Sequence, residues 1–374
     1  MIPFNKPYLS GHELQYITKA HQKGQLAGDG SYSKLCHEWL EQNTLCQKAL
    51  LTHSCTAALE MAAMLIDLKT GDEVIIPSYT FVSTANAFAL RGAVPIFADI
   101  RPDTLNMDEK VIESLITPRT KAIVPVHYAG VACSMESIVD LANKYNLIVI
   151  EDAAQGIFAK YKGSPLGSIG TFGCLSFHET KNIHCGEGGA LMVNDKRYIE
   201  RAEIIREKGT NRSKFFRGQV DRYRWVDMGS SYLPGELSAA FLLAQLNHAK
   251  DITKKRLIIW NRYHEMFEKL EQTEKVRRPI VPKDCEHNGH SYYLLLNKKF
   301  NRDKVLKEMN NKRVNAVFHY LPLHSSPAGQ KYGKCPAPLP ITDNVCERII
   351  RLPMWVGFDQ HERVLDVLSS LLDY

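Results

Sequence analysis

Lys181 stands between Ser176-Phe177-His178-Glu179-Thr180 and the turn Gly186-Glu187-Gly188-Gly189, the setting of a lysine that forms a Schiff base. A lysine amine condenses with the aldehyde of pyridoxal phosphate, and that chemistry needs a carboxylate to keep the cofactor's pyridine nitrogen protonated as an electron sink. Asp152 is the candidate carboxylate. It closes the apolar run Leu147-Ile148-Val149-Ile150, and in an open parallel sheet ligands sit at the carboxyl ends of the strands. Each residue also has a plainer role, since a lysine is usually solvated surface and an acid at a strand end is often a helix cap.

Two earlier segments offer a phosphate cradle and a ring platform. Leu50-Leu51-Thr52 is a predicted strand that runs into His53-Ser54-Cys55-Thr56-Ala57 and the helical composition of Ala58-Leu59-Glu60-Met61-Ala62-Ala63-Met64-Leu65. Small hydroxyl residues at such a helix start leave backbone N–H groups aimed at a phosphate, with an ordinary N-cap as the alternative. Val74-Ile75-Ile76-Pro77 is the next predicted strand, and Ser78-Tyr79-Thr80-Phe81 follows it. Phe81 there can stack on a cofactor ring or fill core.

These segments, with Glu151-Asp152-Ala153-Ala154-Gln155, match in order and spacing a known family. Over nearly its whole length the chain resembles the pyridoxal-phosphate sugar aminotransferases of the DegT/DnrJ type. The resemblance implies a fold-type-I α/β enzyme, a mainly parallel sheet sandwiched by helices with a small α+β carboxy-terminal domain. It makes Lys181 the Schiff-base lysine and catalytic proton carrier, Asp152 the partner of the pyridinium nitrogen and Gln155 the partner of the ring hydroxyl. Phe81 covers the ring face, while Cys55, Thr56 and Ser176 contact the phosphate. A sugar nucleotide and L-glutamate are the implied small-molecule substrates, and a homodimer with sites at the subunit interface is the implied assembly. Many relatives carry Gly-Tyr-Asn-Tyr-Arg where this chain has Gly229-Ser230-Ser231-Tyr232-Leu233. That asparagine reaches the phosphate from the other subunit, so Ser231 takes its place, directly or through a water.

A narrower similarity rests on Ile2-Pro3-Phe4-Asn5, Val126 to Cys133, Arg206 to Ser213 and Phe318-His319-Tyr320. It points to members that aminate C4 of dTDP-4-dehydro-6-deoxyglucose, and it favours the axial, galacto amine. His319 and Tyr320 then line the sugar-nucleotide side of the pocket, with buried, hydrogen-bonded packing as their alternative.

The net charge of +6 is mild. Much of the excess lies between Arg206 and Arg224, where Arg206, Lys208, Arg212, Lys214, Arg217, Arg222 and Arg224 face only Glu207 and Asp221. A solvated loop and a pyrophosphate clamp are comparable readings, because arginine matches phosphate bidentately. Arg212 and Arg217 are the leading clamp candidates.

The elements that must position these groups alternate strand and helix through the first two-thirds of the chain. Val94 to Ala98, Lys121 to Val126, Leu147 to Glu151 and Ala190 to Val193 are predicted strands, and Met135 to Tyr145 a helix. A long helical run from Pro234 to about Leu270 links the domains; beyond it Ser291 to Leu296 and Val314 to Phe318 are predicted strands flanking the helix Arg302 to Asn311. A length of 374 residues exceeds most single cores, so we expect a cofactor-binding domain over 1–250 and a small domain over 251–374. The Pro-rich Cys335 to Pro340 is a stiff surface connector.

The amino terminus has no apolar core flanked by basic residues, no apolar stretch is long enough to span a bilayer, and nine cysteines at irregular spacing suit reduced thiols. A cytoplasmic enzyme without membrane or nucleic-acid partners is expected. Cys174, His178, His184 and Cys185 lack the paired spacing of a zinc site, so no metal is expected. His127 with Cys133 suits packing as well as a nucleophile pair. A non-enzymatic regulator is disfavoured because no helix-turn-helix signature accompanies the basic loop.

Overall fold

A computed structural model of the chain describes residues 1–373. Its centre is a seven-stranded sheet in the order β1-β9-β8-β5-β4-β2-β3. The strands are β1 (Lys48–Thr52), β2 (Glu73–Pro77), β3 (Val94–Ala98), β4 (Thr120–Ile123), β5 (Ile148–Asp152), β8 (Phe172–Ser176) and β9 (Gly189–Val193). Between β5 and β8, the short β6 (Lys160–Tyr161) and β7 (Ser164–Pro165) form a separate ribbon with β11 (Cys285–Glu286).

The pairs β3–β2–β4–β5–β8 are all parallel, and β9 runs antiparallel to both β8 and β1. Thr52, Pro77, Asp152 and Ser176 therefore end their strands on one edge of the sheet, the edge at which β9 begins with Gly189. Near-continuous apolar runs such as Val74-Ile75-Ile76 and Phe172 to Leu175 are buried on both faces, as parallel strands require.

Helices cover both faces. On one, the helix Cys55–Leu65 packs Ala58, Ala62 and Ala63 against the sheet with Val74, Ile76 and Leu191. Its start is set by Ser54, whose hydroxyl accepts from the amide of Ala57 at 3.1 Å. On the other, Ser31–Thr44 and Glu236–Asn247 pack Cys36, Leu40, Ala239 and Leu243 against Leu51, Leu175 and Met192.

The carboxy-terminal third has its own antiparallel sheet, β10 (Val276–Arg277), β12 (Tyr293–Leu296) and β13 (Ile349–Arg351), in the order β10-β12-β13. The helices Ala249–Met266, Arg302–Asn311 and His361–Leu372 build a core with it from Trp260, Tyr263, Phe267, Tyr292, Met309 and Leu368.

Three expectations need adjusting. The helical run from Pro234 is three helices, Glu236–Asn247, Ala249–Met266 and Glu268–Gln272. It breaks at His248, which has ψ 5° and stacks on His12. The change of direction lets Ala239 to Ile252 serve the core beneath the large sheet and Ile259 to Leu270 the carboxy-terminal one.

Val314 to Phe318 forms only isolated bridges, Val314 to Ile2 and Val317 to Arg351. Positive φ at Arg313 and Tyr320 bends the chain at both ends before a ladder can form. The strand predicted from Lys121 ends at Ile123, after which Val126 bridges to Asp152.

Candidate active site

The carboxyl edge of the sheet opens into a cavity of about 910 Å³, within the size range of small-molecule sites. Lys181 sits in the loop that joins β8 to β9. This loop is braced by its own backbone: the amide of Phe177 donates to Gly188 O at 2.8 Å, Glu179 to Gly186 O at 2.8 Å and Lys181 to His178 O at 2.9 Å. The lysine is thus presented by a fixed hairpin. Burial lowers its pKa and the charge of Arg351 adds to that, while Cys55 and Asp152 oppose it. The shift favours an amine with a free lone pair.

Asp152, the last residue of β5, is 6 % exposed. Thr84 Oγ1 donates to its Oδ2 at 2.7 Å, and the amide of Ala154 donates to Oδ1 at 3.2 Å. Thr80 lies 2.9 Å from Thr84 Oγ1 and, with the Thr84 proton committed to Asp152, is the donor to it. Burial pushes the Asp152 pKa up, against the pull of these hydrogen bonds and of Lys181 and His127. A cationic ring nitrogen is the partner such a buried carboxylate lacks within the protein.

One end of the cavity is built largely by backbone. Amides at the start of the helix Cys55–Leu65 precede its first internal hydrogen bond. Gly189 pairs in register with both Thr52 and Ser176. A Cβ on Gly189 would lie 2.3 Å from Ser54 C and 2.4 Å from the Cys55 nitrogen, so only glycine lets the hairpin approach the helix start this closely. Thr56 Oγ1 donates to Ser83 Oγ at 2.8 Å, and Cys55, Thr56 and Ser176 all line the cavity. An anion-binding helix start, a lysine and one buried carboxylate fit pyridoxal phosphate.

Gln155 and Phe81 line the same cavity, as do His319 and Tyr320. Tyr320 Oη accepts from Gln155 Nε2 at 3.0 Å, and its ring stacks on that of His319, with centroids 3.6 Å apart. His319 Nδ1 in turn meets Tyr128 Oη at 2.8 Å. Burial holds the His319 pKa well below the ordinary value, so the ring is neutral. Phe81 is 56 % exposed, an aromatic surface left open for a ring to cover.

Arg212, Arg217 and Ser231 do not line this cavity. Arg212 pairs with Glu207 at 3.2 Å and Arg217 with Glu203 at 2.8 Å, so the sequence excess of positive charge is partly met by acids one turn away or on the preceding helix. Ser231 is exposed and bridges to Glu207 through its backbone. The surrounding segment exposes Phe216, Trp225 and Met228.

His127 is fully buried. Its Nε2 meets Glu151 at 2.9 Å and its Nδ1 accepts from the amide of Cys133 at 3.2 Å, which is the packing alternative rather than a nucleophile pair. Sequence reasoning missed Thr84, Arg256, Ser291 and Arg351, which the fold brings to the cavity from distant segments. No local spacing marks them.

This sheet, with a lysine hairpin and a buried strand-end carboxylate at its carboxyl edge, defines a fold-type-I pyridoxal-phosphate enzyme. The sequence profile of the DegT/DnrJ/EryC1/StrS aminotransferase family matches residues 7–371. The chain belongs to that family, and pyridoxal phosphate is its cofactor.

It is 32 % identical to GDP-perosamine synthase of Escherichia coli O157:H7 over 100 % of this chain and 98 % of that protein. To UDP-4-amino-4-deoxy-L-arabinose–oxoglutarate aminotransferase of Shewanella sediminis it is 29 % identical, covering 99 % of this chain and 98 % of the relative. The structure of Helicobacter pylori PseC, an aminotransferase involved in the biosynthesis of pseudoaminic acid, superposes with a TM-score of 0.92 at 26 % identity, over 100 % of this chain and 99 % of that one.

Proposed function

We propose that this chain moves the amino group of L-glutamate to C4 of dTDP-4-dehydro-6-deoxy-D-glucose, giving dTDP-4-amino-4,6-dideoxy-D-galactose. The product would serve enterobacterial common antigen synthesis, and the enzyme would work as a cytoplasmic homodimer. The observation that carries the transamination is Lys181 sharing one cavity with Asp152. A 4-amino sugar nucleotide and oxoglutarate both stand in the name of the Shewanella relative, which supports C4 and the glutamate–oxoglutarate pair.

When bound, pyridoxal phosphate supplies an aldehyde for the amine and a ring that accepts the electron pair released as a neighbouring C–H bond breaks. Thr56, Ser176 and the amides at the helix start would hold its phosphate, and Phe81 would cover the ring. Asp152, aimed by Thr84 and Ala154, keeps a proton on the ring nitrogen. Lys181 removes the α-proton of glutamate in the first half-reaction and delivers a proton to the sugar C4 in the second. The sugar face that meets Lys181 sets the axial configuration. His319 and Tyr320 bound the sugar's side of the cavity. Arg212, Arg217 and Ser231 would act across the dimer, the arginines on a pyrophosphate and the serine on the cofactor phosphate of the partner subunit's site.

Incubation with dTDP-4-dehydro-6-deoxyglucose and L-glutamate, followed by nuclear magnetic resonance of the product, tests the substrate and its geometry. A small H3–H4 coupling is expected from an axial amine. A large coupling would assign the gluco product, and no amination of this sugar would overturn the substrate.

A further inference from the structure

Asn182, the residue after Lys181, is buried and ties the lysine hairpin to the segment that leads into β12. Its Nδ2 donates to the backbone oxygen of Asn288 at 3.0 Å. A carbonyl oxygen only accepts, so the amide of Asn182 has one orientation and its Oδ1 is left as an acceptor. The atom that meets Oδ1 is Nδ1 of His290, 3.1 Å away. Nδ1 therefore carries the proton, and Nε2 of the neutral ring carries a lone pair.

The ring is neutral. Burial holds the His290 pKa well below the ordinary value, and the charges of Lys181, Arg256 and Arg351 add to that. It is also held in place by its own backbone: the amide of His290 donates to Asn288 Oδ1 at 3.0 Å, and its carbonyl accepts from Arg256 Nη2 at 2.6 Å. Asn288 is anchored in turn, donating from Nδ2 to Gln155 O at 2.7 Å and Ile157 O at 2.8 Å.

His290 lines the cavity that holds Lys181. Among the described residues Nε2 has no protein partner, and it is not sealed away from the cavity. The Lys181 amine faces the same space from the adjoining segment. A fixed acceptor thus stands beside a movable donor, and the bond between Asn182 and His290 sets the distance between their two segments.

A lysine that shuttles protons becomes an ammonium each time it takes one from carbon and an amine each time it returns one. A buried ammonium needs an acceptor. The oxygens of Asp152 are engaged by Thr84 and Ala154, and Glu187 stands at the rim with 73 % of its side chain exposed. Burial pushes the Cys55 thiol well up, which keeps it protonated. A neutral imidazole nitrogen suits the task better than a carboxylate, because it steadies the ammonium without trapping the proton in an ion pair.

We propose that Nε2 of His290 accepts a hydrogen bond from the Lys181 amine whenever the lysine is detached from the cofactor, and so holds the ammonium between its two proton transfers. His290 is then a positioning residue and takes no proton itself. The proposal rests on the aminotransferase function above but not on the identity of the sugar.

The test uses enzyme loaded with pyridoxamine phosphate, in which Lys181 is detached. Competitive labelling with acetic anhydride across pH, quantified by mass spectrometry, reads the midpoint at which the Lys181 ammonium loses its proton. His290→Phe removes the acceptor and should lower that midpoint by about one to two pH units, the worth of a hydrogen bond to a charged group. Cys55 and Asp152, which favour the lysine charge, and Arg351, which opposes it, stay in place. The glutamate half-reaction should slow by about 10- to 100-fold on the same scale, with a larger isotope effect from α-deuterated glutamate. His290→Gln brings an amide oxygen into reach and should recover most of the midpoint. Asn182→Ala frees the tautomer of a retained imidazole and should lower the midpoint by a smaller amount. It decides the matter if His290→Phe does not keep the cofactor absorption band.

A midpoint that stays put in the deciding variant would overturn the contact, even if turnover falls, because a merely structural histidine slows the enzyme without moving the lysine. An equal fall in His290→Phe and His290→Gln would overturn it too, since lost polarity rather than a lost acceptor then explains the shift. Wild-type enzyme that converts glutamate to 2-oxoglutarate in a single turnover yet leaves the sugar untouched would sink the sugar substrate and leave this contact standing.

Discussion

Gln155 donates from Nε2 to the hydroxyl of Tyr320 at 3.0 Å, while its Oε1 accepts from the amide of Ala129 at 2.7 Å. Both partners have positive φ, 35° at Tyr320 and 55° at Ala129, a conformation that costs non-glycine residues free energy. One side chain thus restrains two strained backbone positions beside the cavity. Its carbonyl end is spent on Ala129, so the Nε2 end is the one that can meet a ring hydroxyl.

Gln155→Leu should lower stability by about 1–3 kcal/mol, because the buried amide of Ala129 loses its acceptor. Tyr320→Phe removes only an acceptor for Nε2 and should cost about 1 kcal/mol or less. Urea unfolding of both variants checks the order. Equal losses would mean that Gln155 does not restrain Ala129.

Lys181→Ala should bind cofactor without a borohydride-trapped link to the chain and lose turnover by about 10³-fold or more, as expected when the nucleophile and proton carrier are one residue. Mass spectrometry after borohydride reduction should find the pyridoxyl group on Lys181 in the wild type. A wild-type adduct at any other lysine refutes the assignment.

Thr84→Val acts on Asp152 through the 2.7 Å hydrogen bond it deletes. That bond favours the carboxylate, so its loss raises an Asp152 pKa already pushed up by burial. A group needed in its charged form is then protonated at higher pH as the solution is acidified. The acid limb of the glutamate half-reaction should move to higher pH, with the alkaline limb in place. Asp152→Asn should keep the cofactor and slow exchange of the glutamate α-proton across the whole profile. A Thr84→Val profile superimposable on the wild type would remove Thr84 from this role.

Gly189→Ala should impair cofactor retention. Its Cβ would meet Ser54 and Cys55 backbone at 2.3–2.5 Å, and rigid backbone cannot yield as a flexible side chain would. Dialysis against buffer, with cofactor followed by absorbance, measures it. Wild-type retention would show that the helix start can shift without loss of the phosphate site.

Hybrid dimers test whether Ser231 acts across an interface. Chains carrying Lys181→Ala mixed with chains altered at Ser231 should regain up to about a quarter of wild-type activity if the sites are composite, since one site in each hybrid is intact. The exposed Phe216, Trp225 and Met228 near that turn favour such an interface. No recovery after demonstrated subunit exchange would confine Ser231 to its own chain.

The large sheet and half of the cavity wall were legible in sequence because each contribution is local. Apolar runs ending in Thr52, Pro77 and Asp152 signal buried strands and their ligand edge, and Ser54 marks the start of a helix, whereas the central strand Phe172–Ser176 was not among the strands read from the sequence. The other half was not legible, because it is assembled by register between distant segments. Thr84 lies in the first turn of the helix Val82–Ala89 with no local mark and becomes meaningful only when the fold sets it against Asp152 at the end of β5. Ser291 and Arg351 come to line one cavity because β12 pairs with β13, Tyr293 opposite Arg351, and no spacing within either segment announces it. Arg212 and Arg217 also show what composition leaves out, since a count of charges in the basic stretch does not reveal their ion pairs with Glu207 and with Glu203 on the preceding helix.

The pairing of β1 with β9 joins Thr52 to Gly189 across a long stretch of sequence. On the ribosome, the first helix of the cradle emerges long before the hairpin that completes it. A cofactor pocket therefore cannot exist on the nascent chain until β9 has been synthesised and threaded between β1 and β8, a late, entropically costly closure. Free cofactor should then stabilise only finished molecules, raising the yield of folded enzyme by mass action without hastening the early steps of folding.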